Sequence, residues 1–299
     1  VDDIVMAYCE LLRRCEENQI TWIQLDEPAL VQDMDENDIK LFRRIYDEVL
    51  SCKKSCHVLL QTYFGDVRDI YRDLIGMPFD GIGLDFLEGK ETMNLIEKYG
   101  FPQDKLLFAG LVNGKNIWRN HYDRTLKTLE ELKKKNISAV LSTSCSLLHV
   151  PYTLKHEHSL SQDCLSHFAF AEEKLGELHE LGILAELDDY TSEKAYIDNQ
   201  QLFTTKRDCE NEQVKQRLES VGGNDYIRLP KRSERQSRQK MVFNLPEFPT
   251  TTIGSFPQTQ DVKANRSAYR RGDISREEYI AFNKKKIAEC VAWQEEIGL

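Results

Sequence analysis

Leu106-Leu-Phe-Ala-Gly-Leu-Val112 is a nearly unbroken apolar run of strand length. A strand covered on both faces reads this way, because neither side of the ribbon meets water. Four runs of the same kind lie around it: Ile20-Thr-Trp-Ile-Gln-Leu25, His57-Val-Leu-Leu-Gln-Thr-Tyr63, Gly81-Ile-Gly-Leu-Asp-Phe86 and Ala139-Val-Leu-Ser-Thr143. Helical patterns separate them. Glu36 to Ser51 sets Ile39, Phe42, Ile45, Val49 and Leu50 on one side; Asp66 to Ile75 does the same, and Arg119 to Lys135 aligns Tyr122, Leu126, Leu129 and Leu132. Repeated βα units make either a doubly wound sheet or a (β/α)8 barrel. No Gly-x-Gly-x-x-Gly follows a strand, and Gly81-x-Gly83 lies inside one, so a dinucleotide site finds no support. The barrel is the preferred α/β architecture. With five units visible, its first strands would lie upstream.

The strand signal fades beyond residue 155. Asp163 to Leu187 reads as one long helix with Leu165, Phe168, Ala169, Leu175, Leu178 and Leu181 as its apolar positions. Residues 192–220 are charged and helical in pattern, and Lys231 to Lys240 reads as an exposed basic connector. After the stiff Leu245-Pro-Glu-Phe-Pro249, the β-branched Thr250-Thr-Thr-Ile-Gly254 is expected to be a strand. Two helices should follow, near Asp261 to Arg271 and Ser275 to Ile297, the second opened by a Ser275/Glu278 capping box. The expected organisation is a barrel portion over 1–155, a helical and charged connector over 156–245, and the first βα unit of a second barrel over 246–299. Helical pattern in the opening residues and a helix near the last ones lead us to expect that both ends fall inside domains, leaving sheet edges open to association.

The chain has 299 residues and a formal net charge of −10. That balance argues against nucleic-acid or anionic-membrane partners, whose phosphates need a basic field. No apolar run approaches the ~18 residues of a membrane span, and the acidic Val1-Asp2-Asp3 opening with a polar helix after it is not expected to be a signal peptide. Eight dispersed cysteines in a chain of this size read as reduced thiols of a cytoplasmic protein.

In such folds chemistry gathers at the carboxyl ends of the strands. Asp26, Glu27, Asp85 and Glu88 would ring that mouth, with Asn113, Ser144 and Cys145 beside them. Paired carboxylates can serve acid/base work, but with no metal motif nearby the preferred role is closing loops and capping helices. Cys145 with His149, and Cys52 with Cys56 and His57, are too few for zinc, which wants three or four protein ligands. His156, His158, Cys164 and His167 form the densest cluster, also read as structural rather than as a metal site. Ile253-Gly254-Ser255 is the strongest local signal: a strand ending in Gly-Ser lets backbone approach a ligand and offers a hydroxyl and N–H groups to a carboxylate.

Five of these segments also carry a resemblance. Ile23-Gln-Leu-Asp-Glu-Pro-Ala-Leu30, Gly83-Leu-Asp85, Gly110-Leu-Val-Asn-Gly-Lys-Asn-Ile-Trp-Arg119, Ser142-Thr-Ser-Cys-Ser-Leu-Leu-His-Val-Pro151 and Phe248-Pro-Thr-Thr-Thr-Ile-Gly-Ser-Phe-Pro-Gln-Thr259 resemble the cobalamin-independent methionine synthase family. The resemblance implies two face-to-face (β/α)8 barrels, in a monomer that methylates homocysteine from 5-methyltetrahydropteroyl-polyglutamate. It further implies homocysteine binding by Ile253, Gly254 and Ser255, and a zinc ion, not cobalamin, whose His, Cys, Glu and Cys ligands match nothing in this chain. No catalytic residue and no metal ligand is therefore expected here, and the chain alone is expected to be inactive. A scaffold or partner subunit of a split enzyme is the alternative, and an unrelated barrel enzyme with a metal on His156, His158, Cys164 and His167 is a third reading.

Overall fold

A computed structural model describes residues 1–204 and 211–299 and divides the chain into two compact units, Val1–Asp208 and Cys209–Leu299. The first alternates helix and strand: α1 (Asp2–Glu17), β1 (Trp22–Asp26), α2 (Glu36–Ser51), β2 (His57–Gln61), α3 (Tyr71–Gly76), β3 (Gly81–Asp85), α4 (Thr92–Tyr99), β4 (Leu106–Val112), α5 (Tyr122–Lys134) and β5 (Ala139–Thr143). Three further helices close it: α6 (Gln162–Ser166), α7 (Ala171–Ala185) and α8 (Lys194–Thr204). The second unit holds α9 (Glu212–Glu219), α10 (Arg232–Phe243), α11 (Gln260–Arg271) and α12 (Arg276–Ile297).

The strands form one parallel sheet in the order β1-β2-β3-β4-β5. A sheet that always advances in one direction through right-handed crossovers carries its helices on one face, whereas a doubly wound sheet reverses and uses both. Burial agrees. Leu25, Val58, Leu60, Ile82, Leu84, Leu107 and Ala109 point into the main core with Leu12 of α1, Val49 of α2, Leu74 of α3, Ile96 of α4 and Leu132 of α5. The opposite face carries the alternate residues, among them Trp22, His57 and Phe108, with the Trp22 ring centroid 4.8 Å from His57 and 6.0 Å from Phe108. Gly83 lies on that face because Gln61 crosses it: a Cβ there would sit 2.1 Å from the Gln61 amide oxygen. Burial on both faces holds for β2, β3 and much of β4, but β1 and β5 are largely half-buried or exposed, having a neighbour on one side only.

Local chemistry sets the helix ends. Asp35 accepts the Asn37 and Asp38 N–H groups at 2.7 and 3.0 Å, and Asp38 accepts the Asp35 N–H at 3.1 Å, a reciprocal cap on α2. The Ser275/Glu278 box caps α12 as anticipated. At the other end of α1, Glu16 accepts N–H groups of Lys54, Ser55 and Cys56 at 2.8, 2.7 and 3.1 Å, fixing the approach to β2.

The structure revises several expectations. The long helix over 163–187 breaks at His167–Phe170, because the backbone there turns to tertiary partners: Arg119 donates its N–H to the His167 carbonyl at 2.9 Å and Ala169 to that of Ile117 at 2.7 Å. The α7 face that packs inward presents Lys174, Glu177, Leu181 and Leu184, while Leu175 is exposed. Helix α7 joins Val112, Tyr122 and Leu126 in a second core, and Asn199 of α8 accepts the Tyr122 N–H at 3.0 Å and donates to the Asn120 carbonyl at 2.8 Å. Helix α7 therefore packs on α5, β4 and β5, and α8 packs on α5, within the first unit. Of the helical stretch 192–220, residues 205–210 lie outside the described residues. Asp66–Ile70 is a turn rather than helix; buried Asp66 is engaged with Arg68 at 2.6 Å. Lys231–Lys240 falls largely in helix α10, exposed but regular, as its strong helix formers allow. Thr250–Gly254 is not a strand: among the described residues the second unit has no strand to pair with, and a lone extended segment has nowhere to send its backbone hydrogen bonds. The expectation of uniformly reduced thiols also fails, since Cys9 of α1 and Cys52 at the end of α2 form a disulfide. Among the described residues no helix is long and apolar enough to cross a membrane.

The three N–H groups hold the Glu16 carboxyl well below its ordinary value of 4.5, at about 2. A depressed acid contributes stability that is complete above 4.5 and is lost as pH falls toward 2. We expect Glu16→Gln to lower the thermal midpoint at pH 7 and to shrink the wild-type difference in midpoint between pH 5 and pH 2. Calorimetry over that range checks it, and equal slopes for both proteins would refute it.

Candidate functional site

Parallel register brings the strand ends to one edge. Asp26 stands opposite Gln61, Gln61 opposite Gly83, Asp85 opposite Gly110, and Val112 opposite Thr143. Asp26, Glu27, Asp85, Glu88, Asn113, Ser144 and Cys145 thus lie at or just beyond the ends of β1, β3, β4 and β5.

Most of them already have structural partners. Asp85 is 1% exposed and accepts N–H groups from Phe64 at 3.1 Å, Leu87 at 2.8 Å and Glu88 at 2.9 Å. Burial raises its carboxyl above the usual range, the three N–H groups opposing. The bond from Phe64 accompanies a φ of +73° at that residue, a left-handed conformation unfavourable for a bulky side chain. Its ring stands 5.0 Å beneath the Lys115 ammonium and 5.4 Å from His149. Lys115 pairs with Glu88 at 2.7 Å, which raises the lysine. Glu27 accepts the buried Tyr46 hydroxyl, and Asp26 accepts the Gln24 amide at 2.7 Å. Asn113 accepts the N–H groups of Lys115 and Asn116 at 2.8 and 2.9 Å, closing its own turn. Ser144 accepts the Gly114 N–H at 3.2 Å. Cys145 is buried, and burial pushes its thiol up, away from the thiolate a nucleophile needs.

A charged group that the sequence pattern did not single out lies behind the β4 end. Lys174 and Glu177 of α7 are fully buried, and Arg119 reaches to 3.5 Å from the Glu177 carboxylate. Lys174 donates to the Trp118 carbonyl at 3.0 Å, and Glu177 accepts the Asn120 N–H at 2.9 Å. Burial lowers the lysine and raises the glutamate. The signal was present: Lys174, Glu177, Leu181 and Leu184 share one helical stripe, and a charge on an apolar stripe marks a buried partner.

The remaining candidates stay apart. His158 lines a surface recess with Leu154, Gln162 and Leu165, but among the described residues no three His, Cys, Asp or Glu side chains are grouped to hold a metal ion. The donors present do not fit zinc, and the third reading, a metal on His156, His158, Cys164 and His167, loses its support. In the second unit, Thr252 to Pro257 form an open loop lining a shallow recess. Ile253 is fully exposed, Gly254 has φ +140° with open space where a Cβ would stand, and the Thr252 hydroxyl donates to the Gly254 carbonyl at 2.8 Å. The Phe256 ring rests 5.3 Å from Trp293, anchoring the loop to α12.

Two family models match in sequence order. The cobalamin-independent synthase N-terminal domain covers residues 1–137, and the cobalamin-independent synthase catalytic domain covers residues 248–299. The chain belongs to the cobalamin-independent synthase family. A family member from Lactococcus lactis subsp. lactis, named 5-methyltetrahydropteroyltriglutamate–homocysteine methyltransferase, is 47% identical over 100% of this chain and 39% of its own length. A protein of the same name from Streptococcus pneumoniae serotype 4 is 49% identical over 99% of this chain and 39% of its own. The chain thus spans about two fifths of the length of these curated relatives, 39% in each case. Among solved structures, a methyltransferase from Methanosarcina mazei aligns with 48% of this chain and 41% of its own at a TM-score of 0.37 and 17% identity, too distant to carry weight.

Removing the acid from the buried group should leave the Asn120 N–H and the Arg119 guanidinium without their partner. Glu177→Leu is expected to cost about 3–5 kcal/mol, the range for breaking a buried charge arrangement. Urea unfolding measures it, and a loss below about 1 kcal/mol, the scale of an exposed pair, would show that the group is not under load.

Proposed function

We propose that this chain is part of an enzyme that transfers the methyl group of 5-methyltetrahydropteroyltriglutamate to the sulfur of homocysteine, giving methionine without cobalamin. The observation that carries the reading is identity of nearly one half, over essentially the whole of this chain and 39% of the relatives' length, to proteins of that name, with the sheet unit and the 252–257 loop aligned together. In this reading the five-stranded sheet is an arc of a (β/α)8 barrel, residues 156–245 lead from it with α7 and α8 packed against it, and residues 246–299 open a second barrel. The whole enzyme is a cytoplasmic monomer.

The chemistry divides the labour. A tertiary amine is a poor leaving group, so the acceptor must be a thiolate, and a bound zinc ion supplies one by lowering the thiol pKa. That ion is held by residues outside this chain, since among the described residues no three donors are grouped to hold it. Residues 253–255 hold the substrate. Gly254, lacking a Cβ, lets the loop backbone lie against the amino-acid end of homocysteine. The Ser255 hydroxyl and neighbouring N–H groups are donors for its carboxylate, and the open Ile253 side chain covers its methylene carbons. The strand-end carboxylates of the first unit take no part in proton transfer, being engaged in loop closure.

Supplied with zinc, homocysteine and the methylated folate, the 299-residue chain should form no methionine above background. Turnover by this chain would sink the division of labour just described. In the full-length enzyme, Gly254→Ala and Ser255→Ala should each raise KM for homocysteine about 10- to 100-fold, the scale of one charge-assisted hydrogen bond. KM for the folate should stay within about twofold under the same scheme. Steady-state kinetics on both substrates tests this, and an unchanged homocysteine KM in both variants would remove residues 253–255 from the site.

A further inference from the structure

Helix α1 is fastened to the first unit at three levels. Near its start Asp2 meets Arg44 in an exposed ion pair, a weak hold in salt. At its end Glu16 gathers the N–H groups of residues 54–56. Midway, Cys9 is bonded to Cys52, the residue that ends α2, across a Cα–Cα distance of 5.5 Å and 43 residues of chain. Only Val5 and Leu12 of α1 are buried, so little apolar packing backs the middle of the helix. Ile4 and Tyr8 form one wall of a cleft of about 360 Å³, whose other wall includes Leu30, Phe42, Ile45 and Tyr46. The bonded cysteine is the neighbour of Tyr8, so it sets the spacing of the two walls.

We propose that Cys9 and Cys52 form a reversible redox link that fixes α1 against α2 when oxidised and frees the middle of α1 when reduced. Both cysteines are half-buried and within reach of small reagents. A chain with a core of this size needs no disulfide to fold, and in a reducing compartment such a bond is more often a sensor than a staple. The chemistry is thiol–disulfide exchange with a small disulfide such as oxidised glutathione. The thiolate of one cysteine attacks the reagent's S–S bond, forms a mixed disulfide and releases one thiol. The second cysteine then attacks the mixed disulfide at the protein sulfur and releases the second thiol. Two electrons pass from the cysteine pair to the reagent, and the two protons leave on the released thiols. Cys56 is no rival partner, because it is buried and burial pushes its thiol up to about 11.

The test uses the 299-residue chain equilibrated in oxidised and in reduced glutathione. Alkylation with iodoacetamide and mass spectrometry should find Cys9 and Cys52 protected and linked in the first buffer and alkylated in the second. Amide hydrogen exchange across residues 2–17 should quicken about fivefold or more on reduction, the mark of local opening. Cys15→Ser should keep both responses, and Cys52→Ser should exchange fast in either buffer. Full alkylation of Cys9 and Cys52 under oxidising conditions would overturn the proposal, as would equal exchange of α1 in the two buffers. Both readings come from the unmodified chain, so they decide the matter even if a variant fails to fold.

Discussion

The first unit depends on one aliphatic surface. The strands turn most of their branched residues toward one face, and the amphipathic helices between the strands bury their stripes against it. Parallel pairing demands a long crossover after every strand, and right-handed crossovers return each helix to that same side. The sheet order, the helix layer and the alignment of all five strand ends follow from that constraint. The other face is left for different residues, which is why glycine and glutamine can interlock there while the helix side is Leu, Ile, Val and Ala.

Charge is used mainly as carpentry in this chain. Asp85 ties the ends of β2 and β3 by three N–H groups, Glu16 ties α1 to the approach of β2, and Glu27 ties the β1 end to α2 through Tyr46. A carboxylate accepting several backbone donors is a rigid joint, since each bond to the charged form is stronger than a neutral one. The same residue types at the same strand ends could have signalled proton transfer. What separates the two roles is the count of lone pairs left over, and here few remain.

The repeating βα units were legible because hydrophobic period and strand length are local properties of the chain. Strand positions at His57, Gly81, Leu106 and Ala139 were readable to the residue, as was the Ser275/Glu278 cap. Features decided by distant partners were not. The break at His167–Phe170 depends on carbonyls and N–H groups 48 to 52 residues upstream, at Ile117 and Arg119. Thr250–Gly254 has the composition of a strand but no partner strand within its described unit, so β propensity had nothing to act on. The buried Lys174 and Glu177 were hidden by the assumption that Leu175 marked the inner face. At the candidate site, the strand-end residues could be listed from the pattern, while their hydrogen bonds, which decide what they can do, belong to the folded loops.

The group formed by Arg119, Lys174 and Glu177 has a consequence for how the β4 end can respond to anything that reaches it. Residues 118–120 give a carbonyl, an N–H and a guanidinium to α7, so this loop is anchored to a helix from behind its working edge. Shifting it would strip partners from charges already starved of water. Adaptation at this edge must therefore come from the incoming molecule or from side chains such as Lys115, with the main chain serving as a fixed anvil.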